Sequence, residues 1–496
     1  MIIPDSVTNI ENNAFRGCTS LTNIVIPNNV TSIESYVFSG CTSLTNVIIP
    51  DSVTSIGSFA FYGCTSLTSI VIPDSVTNIE NDAFRGCTSL TNIVIPNNVT
   101  SIESATFSGC TSLTNIVIPD SVTSIGSYAF SGCTSLTNIV IPDSVTSIGS
   151  SVFYGCALLT SVTIPDSVTN IGGNAFYGCT SLTNMTIPDS VTSIGSNAFS
   201  GCTSLTNMTI PDSVTSIGSY AFYGCTSLTS VTIPDSVTSI GNSAFYGCTS
   251  LINITIGRDV TSTLDDIFDS YNKLERINVS EENTKYSSIQ GILFNKEKST
   301  IIKYPSNKND ISNYEIPSTV EIIEKYAFQN CTSLTSVTIP DSVTNISGSA
   351  FIGCNKLERI NVSENNDTYS SVDGILYNKE KTEMLIVPEG NKSIGRIETP
   401  HSYYNNMSET YSKIIEGASS LSLVFDSKCE LESDCDYIEI YNKTDTLVYT
   451  SKGRGNRSLA NKEITVEGDT VKIYFHTDSS VVYWGFKCLV KASNTK

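Results

Sequence analysis

The sequence predicts a mainly β protein: a long parallel β-solenoid of 23-residue rungs, followed by a smaller antiparallel β-sandwich. Three observations predict this class. Prolines recur every 23 residues at eleven positions from Pro4 to Pro234, without a slip. Cysteines from Cys18 to Cys248 and phenylalanines from Phe15 to Phe245 keep the same phase. Beyond Pro400 the period vanishes, and short alternating apolar runs replace it.

A chain of 496 residues is too long for one compact core, and a repeat array resolves the difficulty. The unit from Leu205 to Ser227 reads L-T-N-M-T-I-P-D-S-V-T-S-I-G-S-Y-A-F-Y-G-C-T-S. Leu205, Met208 and Ile210 belong to a short strand with one face inside. Pro211-Asp212-Ser213 forms a turn, because proline presets φ and Asp and Ser bond nearby backbone. Val214 and Ile217 return the chain to the core. Ala221, Phe222 and Cys225 fill the convex side. The L-x-x-φ-x-φ pattern at a fixed period in the twenties is that of a leucine-rich repeat. Parallel strands stacked about 4.8 Å apart make eleven rungs a ladder on the order of 50 Å long.

The phase survives past the last in-phase proline. Phe268 and Leu274 follow one unit after Phe245 and Leu251, although Gly257 and Tyr271 replace the proline and the cysteine. The passage Asn272–Ser280 then recurs 83 residues later at Asn355–Ser363, and each copy leads into a similar segment, Tyr286–Asn295 and Tyr369–Asn378. These segments read as β-hairpin inserts, near 281–310 and 364–390, that project from the solenoid, the first turning around Asn295-Lys296-Glu297. Ordinary rungs return between them with Phe328, Cys331, Pro340, Phe351 and Cys354.

With these residues in view, the unit I-P-D-S-V-T-S-I-G-x-x-A-F-x-G-C-T-S-L resembles the BspA-like (Treponema-type) leucine-rich repeats, and the G-I-L-[FY]-N inserts resemble those that interrupt such arrays. The resemblance covers residues 1–398. It implies surface-exposed adhesins that bind host proteins or other cells.

Residues 401–496 read as the sandwich. Alternating runs at Leu421–Phe425, Tyr437–Tyr441, Leu447–Tyr449, Ile464–Val466 and Val471–Phe475 are separated by Gly, Asp, Asn and Ser. Cys435–Tyr441 and Phe475–Phe486 resemble the D-Y-[LVI]-E-I and F-x-[ST]-D-x-S…G-F motifs of CUB domains. That resemblance implies a CUB-like domain with Ca²⁺ held by Asp436 and Asp478, and by Glu432 as a looser third match. Oxygen ligands of this kind suit Ca²⁺. Only Cys429, Cys435 and Cys488 lie in this region, so the usual two disulfide pairs are not available, although one disulfide among the three stays open.

Several chemistries are absent from the sequence. A formal net charge of −20 argues against nucleic acid, which needs clustered Lys and Arg. Lys452, Arg454 and Arg457 are too few to reverse this. No apolar run approaches a membrane span. With two histidines, His401 and His476, and no nucleophile, phosphate-loop or zinc-protease motif, no enzyme is predicted. No cofactor is required, and Ca²⁺ enters only as what the CUB resemblance implies. The repeat cysteines lack C-x-x-C spacing and read as a column of small apolar side chains. Aspartates after the prolines read as turn formers.

The outward strand positions carry the functional expectation. One column is Asn23, Asn46, Ser69, Asn92, Asn115 and Asn138, and it continues as Asn or Ser. The other is Val25, Ile48, Val71, Val94, Val117 and Val140, then switches to Thr163, Thr186, Thr209, Thr232 and Thr255. An exposed aliphatic ladder is the mark of an interaction surface, whereas simple β-propensity accounts equally for Val, Ile and Thr. The sequence therefore predicts a surface or secreted binding protein that engages protein or glycan partners, such as host cell-surface or matrix components, through the concave face. The chain opens inside a repeat with no leader, and so reads as a piece of a longer protein. An intracellular, cytoplasmic scaffold for protein–protein interaction and an ice-binding role for the threonine rungs stay open.

Overall fold

The computed structural model describes residues 2–264, 267–268, 273–391, 394–399, 407–416, 418–426, 429–431, 436–451, 459–460, 462–477 and 485–492. Two compact units make up the chain, Met1–Glu297 and Lys298–Lys496. Both are built from strands and turns, with no helix among the described residues.

In the first unit a typical rung carries two very short strands, each parallel to its neighbours. Asn207–Thr209 pairs in register with Asn184–Thr186. Ser216–Ile217 pairs with Ser193–Ile194 on one side and Ser239–Ile240 on the other. The strands are short because proline, which lacks an N–H, follows Ile210, and a bend begins at Gly218. Along that bend Tyr220 takes φ 58° and Gly224 φ 68°. The rungs are tied together here as well: the amides of Tyr220, Phe222 and Gly224 donate to Asn242, Ala244 and Tyr246 carbonyls at 3.0, 2.7 and 2.8 Å. Backbone groups that a bend would otherwise leave unpaired are thus satisfied.

Inside, the phenylalanines from Phe15 to Phe245 form one continuous stack, with ring centroids 5.0–5.7 Å apart. Leu205, Val214, Ile217 and Ala221 close around Phe222 and are all buried.

The many hydroxyls have a task that composition alone does not reveal. Ser52, Ser75, Ser121, Ser144, Ser167, Ser190, Ser213 and Ser236 each donate to the carbonyl of a valine 22 residues earlier, at 2.5–2.7 Å. Thr54, Thr123, Thr192 and Thr215 reach a threonine carbonyl of the preceding rung at 3.2–3.3 Å. Hydroxyl columns therefore stitch the stack together.

Rung contact also fixes one glycine per later rung. A Cβ on Gly195 would stand 2.6 Å from the Gly173 amide nitrogen and 2.7 Å from the Gly172 carbonyl carbon. Both are backbone atoms and cannot rotate away. Gly195→Ala is therefore expected to cost about 1–3 kcal/mol through overpacking, read as a lower urea midpoint at unchanged slope.

The polar run Asn295-Lys296-Glu297 turns as expected, between strands Ile292–Asn295 and Thr300–Lys303, and its counterpart Asn378-Lys379-Glu380 turns between antiparallel Ile375–Asn378 and Met384–Ile386. The first insert nevertheless differs from expectation in two respects. A further, tighter turn lies at Gln290 and Gly291, φ 52° and 80°, between antiparallel strands Tyr286–Ile289 and Ile292–Asn295. Two consecutive positive φ values give the hairpin twist that matches paired strands. The insert also packs into the stack instead of projecting: Tyr286, Ile292, Leu293 and Phe294 are buried. Buried Asn283 anchors it, donating to Gly257 and Val260 carbonyls at 2.8 and 3.1 Å, while the Tyr286 hydroxyl donates to the Ser262 carbonyl at 2.8 Å.

The second unit repeats this design. Asn313–Glu315, Ser336–Ile339 and Arg359–Val362 form a parallel ladder, and Tyr304, Phe328 and Phe351 continue an aromatic stack. The second insert turns at Asp373 and Gly374, and Asn366 and Tyr369 anchor it as Asn283 and Tyr286 anchor the first.

Two four-stranded antiparallel sheets follow. In one, the order is Ile394–Glu398, Lys487–Ala492, Ser420–Phe425, Glu463–Glu467. In the other it is Ser408–Ile414, Thr470–His476, Tyr437–Asn442, Leu447–Thr450. Alternation places Leu421, Leu423, Ile438, Ile440, Ile473, Phe475 and Val490 in one shared core, as a sandwich requires.

Candidate ligand-binding face

Each rung strand points one residue inward and its two neighbours outward. Ile24 is buried between Asn23 and Val25, and Met208 between Asn207 and Thr209. The two predicted columns therefore lie on the outer face. Asn23, Asn46, Ser69, Asn92, Asn115 and Asn138 are exposed, as are Thr163, Thr186, Thr209 and Thr232. Val25, Ile48, Val71, Val94, Val117 and Val140 are exposed by 43–80%. Registered pairing sets these side chains side by side: Val25 opposite Ile48, Ile48 opposite Val71, Val94 opposite Val117, Val140 opposite Thr163.

The chemistry of the face is uniform. From Thr22 to Thr255 no outward strand position carries an ionisable side chain. The first six rungs offer branched aliphatic groups beside amides and hydroxyls, and the next five replace the aliphatic group with a hydroxyl. Next to the aliphatic column, Thr45, Thr91 and Thr160 turn their hydroxyls to the carbonyls of Thr22, Thr68 and Thr137 at 3.1–3.2 Å. The support beneath the ladder is thereby held in one arrangement.

The cysteine column lies on the far side of each rung and plays no part in this face. Cys64, Cys87, Cys110, Cys133, Cys156, Cys179, Cys202, Cys225 and Cys248 are buried, each thiol donating to a phenylalanine carbonyl 26 residues earlier at 3.1–3.2 Å. Burial pushes the thiols of Cys64, Cys110, Cys156 and Cys248 up to about 12. Their neighbours Cys87, Cys133, Cys179, Cys202 and Cys225 are raised by burial in the same way. These thiols are neutral at ordinary pH and poorly suited to bind metal or attack a substrate. They serve as rung-to-rung donors in addition to filling space.

Of the three acidic residues expected at a Ca²⁺ site, Asp436 is buried just ahead of the strand Tyr437–Asn442. Glu432 and Asp478 lie outside the described residues, as does Cys435. Cys429 and Cys488 are buried as free thiols in the sandwich core. Among the described residues no group of three His, Cys, Asp or Glu side chains is placed to hold a metal ion. Among them also, no helix is long and apolar enough to cross a membrane.

Asn29, Asn98, Asn184, Asn207 and Asn253 each open an Asn-x-Thr glycosylation sequon, and two of them are committed elsewhere. Asn29 and Asn98 donate their amides to the Asp5 and Asp74 carbonyls at 2.6 and 2.7 Å. Asn184, Asn207 and Asn253 stand on the strand face itself.

Several known proteins are similar to this chain. A leucine-rich repeat protein from Bacteroides ovatus is 30% identical with a TM-score of 0.49, covering 73% of this chain and 78% of that one. A leucine rich cell surface protein from Faecalibacterium prausnitzii is 30% identical with a TM-score of 0.37, covering 73% of this chain and 92% of that one. The mouse zinc finger ZZ-type and EF-hand domain-containing protein 1 is 32% identical over 95 residues, which is 19% of this chain and 3% of the mouse protein's length. Residues 1–114, 101–213, 192–315 and 300–398 match the BspA type leucine rich repeat region, in six copies. With that repeat matched across residues 1–398, the chain belongs to the BspA type leucine-rich repeat family.

Proposed function

We propose that this chain is a surface or secreted adhesion protein whose strand face binds a protein or glycan partner, with no catalytic step. The observation that carries the reading is the run of six exposed aliphatic residues from Val25 to Val140, one per rung and in register. A soluble surface rarely keeps so ordered an apolar ladder uncovered unless something docks on it. Its neighbours are amides and hydroxyls, so the face favours uncharged partner surfaces and gains strength by repeating one modest contact along the array.

The sandwich, which takes in strand Ile394–Glu398 ahead of the expected start at residue 401, is on this reading a CUB-like module that adds a second contact, and Glu432, Asp436 and Asp478 are the residues that would hold Ca²⁺ there. Surface location is supported by the cell-surface relative from Faecalibacterium prausnitzii.

The test is binding of the full chain to immobilised matrix proteins and mucins, against a control chain with its repeats shuffled. Saturable binding by the full chain alone is expected. Equal signals from the two chains would contradict the proposal.

A further inference from the structure

We propose that the outer face of the second sandwich sheet is a binding site for a neutral saccharide, separate from the strand face of the rungs. Inward residues of its strands, Ile438, Ile440, Ile473 and Phe475, supply the core. The outward residues are therefore free of packing duties, yet they are not the small polar set that solvation alone requires.

Pairing places Thr410, Tyr474 and Glu439 in one row across three strands. Lys472 and Tyr441 sit opposite each other in the next row, and Asp445 reaches in from the adjoining turn to hold the Lys472 ammonium at 2.5 Å. These six residues line a hollow of about 350 Å³, within the range of small-ligand sites. Strand and residue spacings make the patch about 10 Å by 7 Å, the footprint of one or two sugar rings.

The chemistry matches that of a pyranose. Such a ring has an apolar C–H face, which a tyrosine ring covers, and hydroxyls that both donate and accept. Tyr441 and Tyr474 supply ring surface. The Tyr441 hydroxyl donates to a Glu439 carboxylate oxygen at 2.7 Å, which fixes the carboxylate in the middle of the patch. A carboxylate accepts up to four hydrogen bonds, so Glu439 can also take two adjacent sugar hydroxyls. Lys472 and Thr410 supply donors beside it. Asp445 neutralises Lys472, so the patch presents no strong cationic field for an anionic ligand. Glu439 leaves the patch one net negative charge, already engaged by the Tyr441 hydroxyl, so choline is the competing probe that the experiment must exclude.

The experiment is saturation-transfer NMR on the full chain with methyl β-D-glucopyranoside, methyl β-D-galactopyranoside, methyl α-D-mannopyranoside and lactose. Transfer to the ring C–H protons of at least one sugar is expected. Its affinity should fall about tenfold or more in E439Q, which removes one charged acceptor, and fall comparably in Y474A. Y474F keeps the ring and should retain binding, while E467Q, at an exposed position of the other sheet, should leave it unchanged. Should Y474A fail to fold, E439Q and Y474F decide the matter. No transfer from any of the four sugars, equal transfer in E439Q, or binding of choline in their place would overturn the proposal.

Discussion

Raising the pH above about 9 should unfold the Met1–Glu297 unit. Ten thiols from Cys41 to Cys248 are buried there, and burial raises every one, to about 11 for Cys41, to about 12 for Cys64, Cys110, Cys156 and Cys248, and well above the usual thiol range for the other five. In the unfolded chain a thiol ionises near pH 8.5. Below that value both states are protonated and the folded state keeps its full stability. Above it the unfolded chain releases protons that the folded chain retains, so stability falls until the pH passes the folded value. Each thiol contributes a loss of about 1.4 kcal/mol per pH unit in that window. Summed over the unit, ten remove about 14 kcal/mol per pH unit, comparable with the ~5–15 kcal/mol that ordinarily separates folded from unfolded domains. Far-UV circular dichroism between pH 7 and 12 measures the transition. Replacing Cys133, Cys156 and Cys179 with serine should reduce the number of protons released across it by about three, whatever the substitutions do to the midpoint. A unit that stays folded at pH 11 would refute the argument.

Phe130→Ala should be among the most damaging single substitutions in the array. The ring is fully buried and stacks on Phe107 and Phe153 at 5.6 and 5.7 Å. Removing it is expected to cost about 3–5 kcal/mol, because the rungs on either side are tied by backbone bonds and cannot collapse into the hole. The loss should be local, since each rung touches only its neighbours. Hydrogen exchange should show faster opening across rungs flanking Phe130, with little change near Phe38 or Phe245. Uniform loss of protection along the whole unit would mean that the array folds as one block.

Much of this was legible in the residues. Pro, Cys and Phe columns announce a rung because each stands where rung geometry admits few alternatives: a strand end, a tight bend, a stack axis. The outward columns were legible for the same reason, since strand alternation assigns Val94 and Asn92 to one face wherever Ile93 is buried. The hydroxyl columns were harder to read. A serine that wets a surface and a serine that bonds the Val191 carbonyl, as Ser213 does, look alike until the neighbouring rung is placed against it. Each insert has two turns, and only the later was legible: the polar Asn-Lys-Glu run marks it, whereas Gln290-Gly291 and Asp373-Gly374, both dipeptides suited to a tight hairpin, sit inside alternating runs that read as continuous strand. Nor could spacing reveal that Asn283 and Asn366 are anchors, because each depends on carbonyls more than twenty residues away. The patch around Tyr474 escaped notice for a related reason: its members come from three strands and a turn, and only pairing brings them together.

The most direct test of the binding account compares two triple variants of the full chain on immobilised matrix proteins and mucins. In one, Val71, Val94 and Val117 become lysine; in the other, Thr186, Thr209 and Thr232 do. All six sites are exposed, so both variants should melt close to the parent. Binding lost in the valine variant and kept in the threonine variant is the expected result. Equal retention in the two, with both folded, would contradict the assignment of the aliphatic ladder as the docking face.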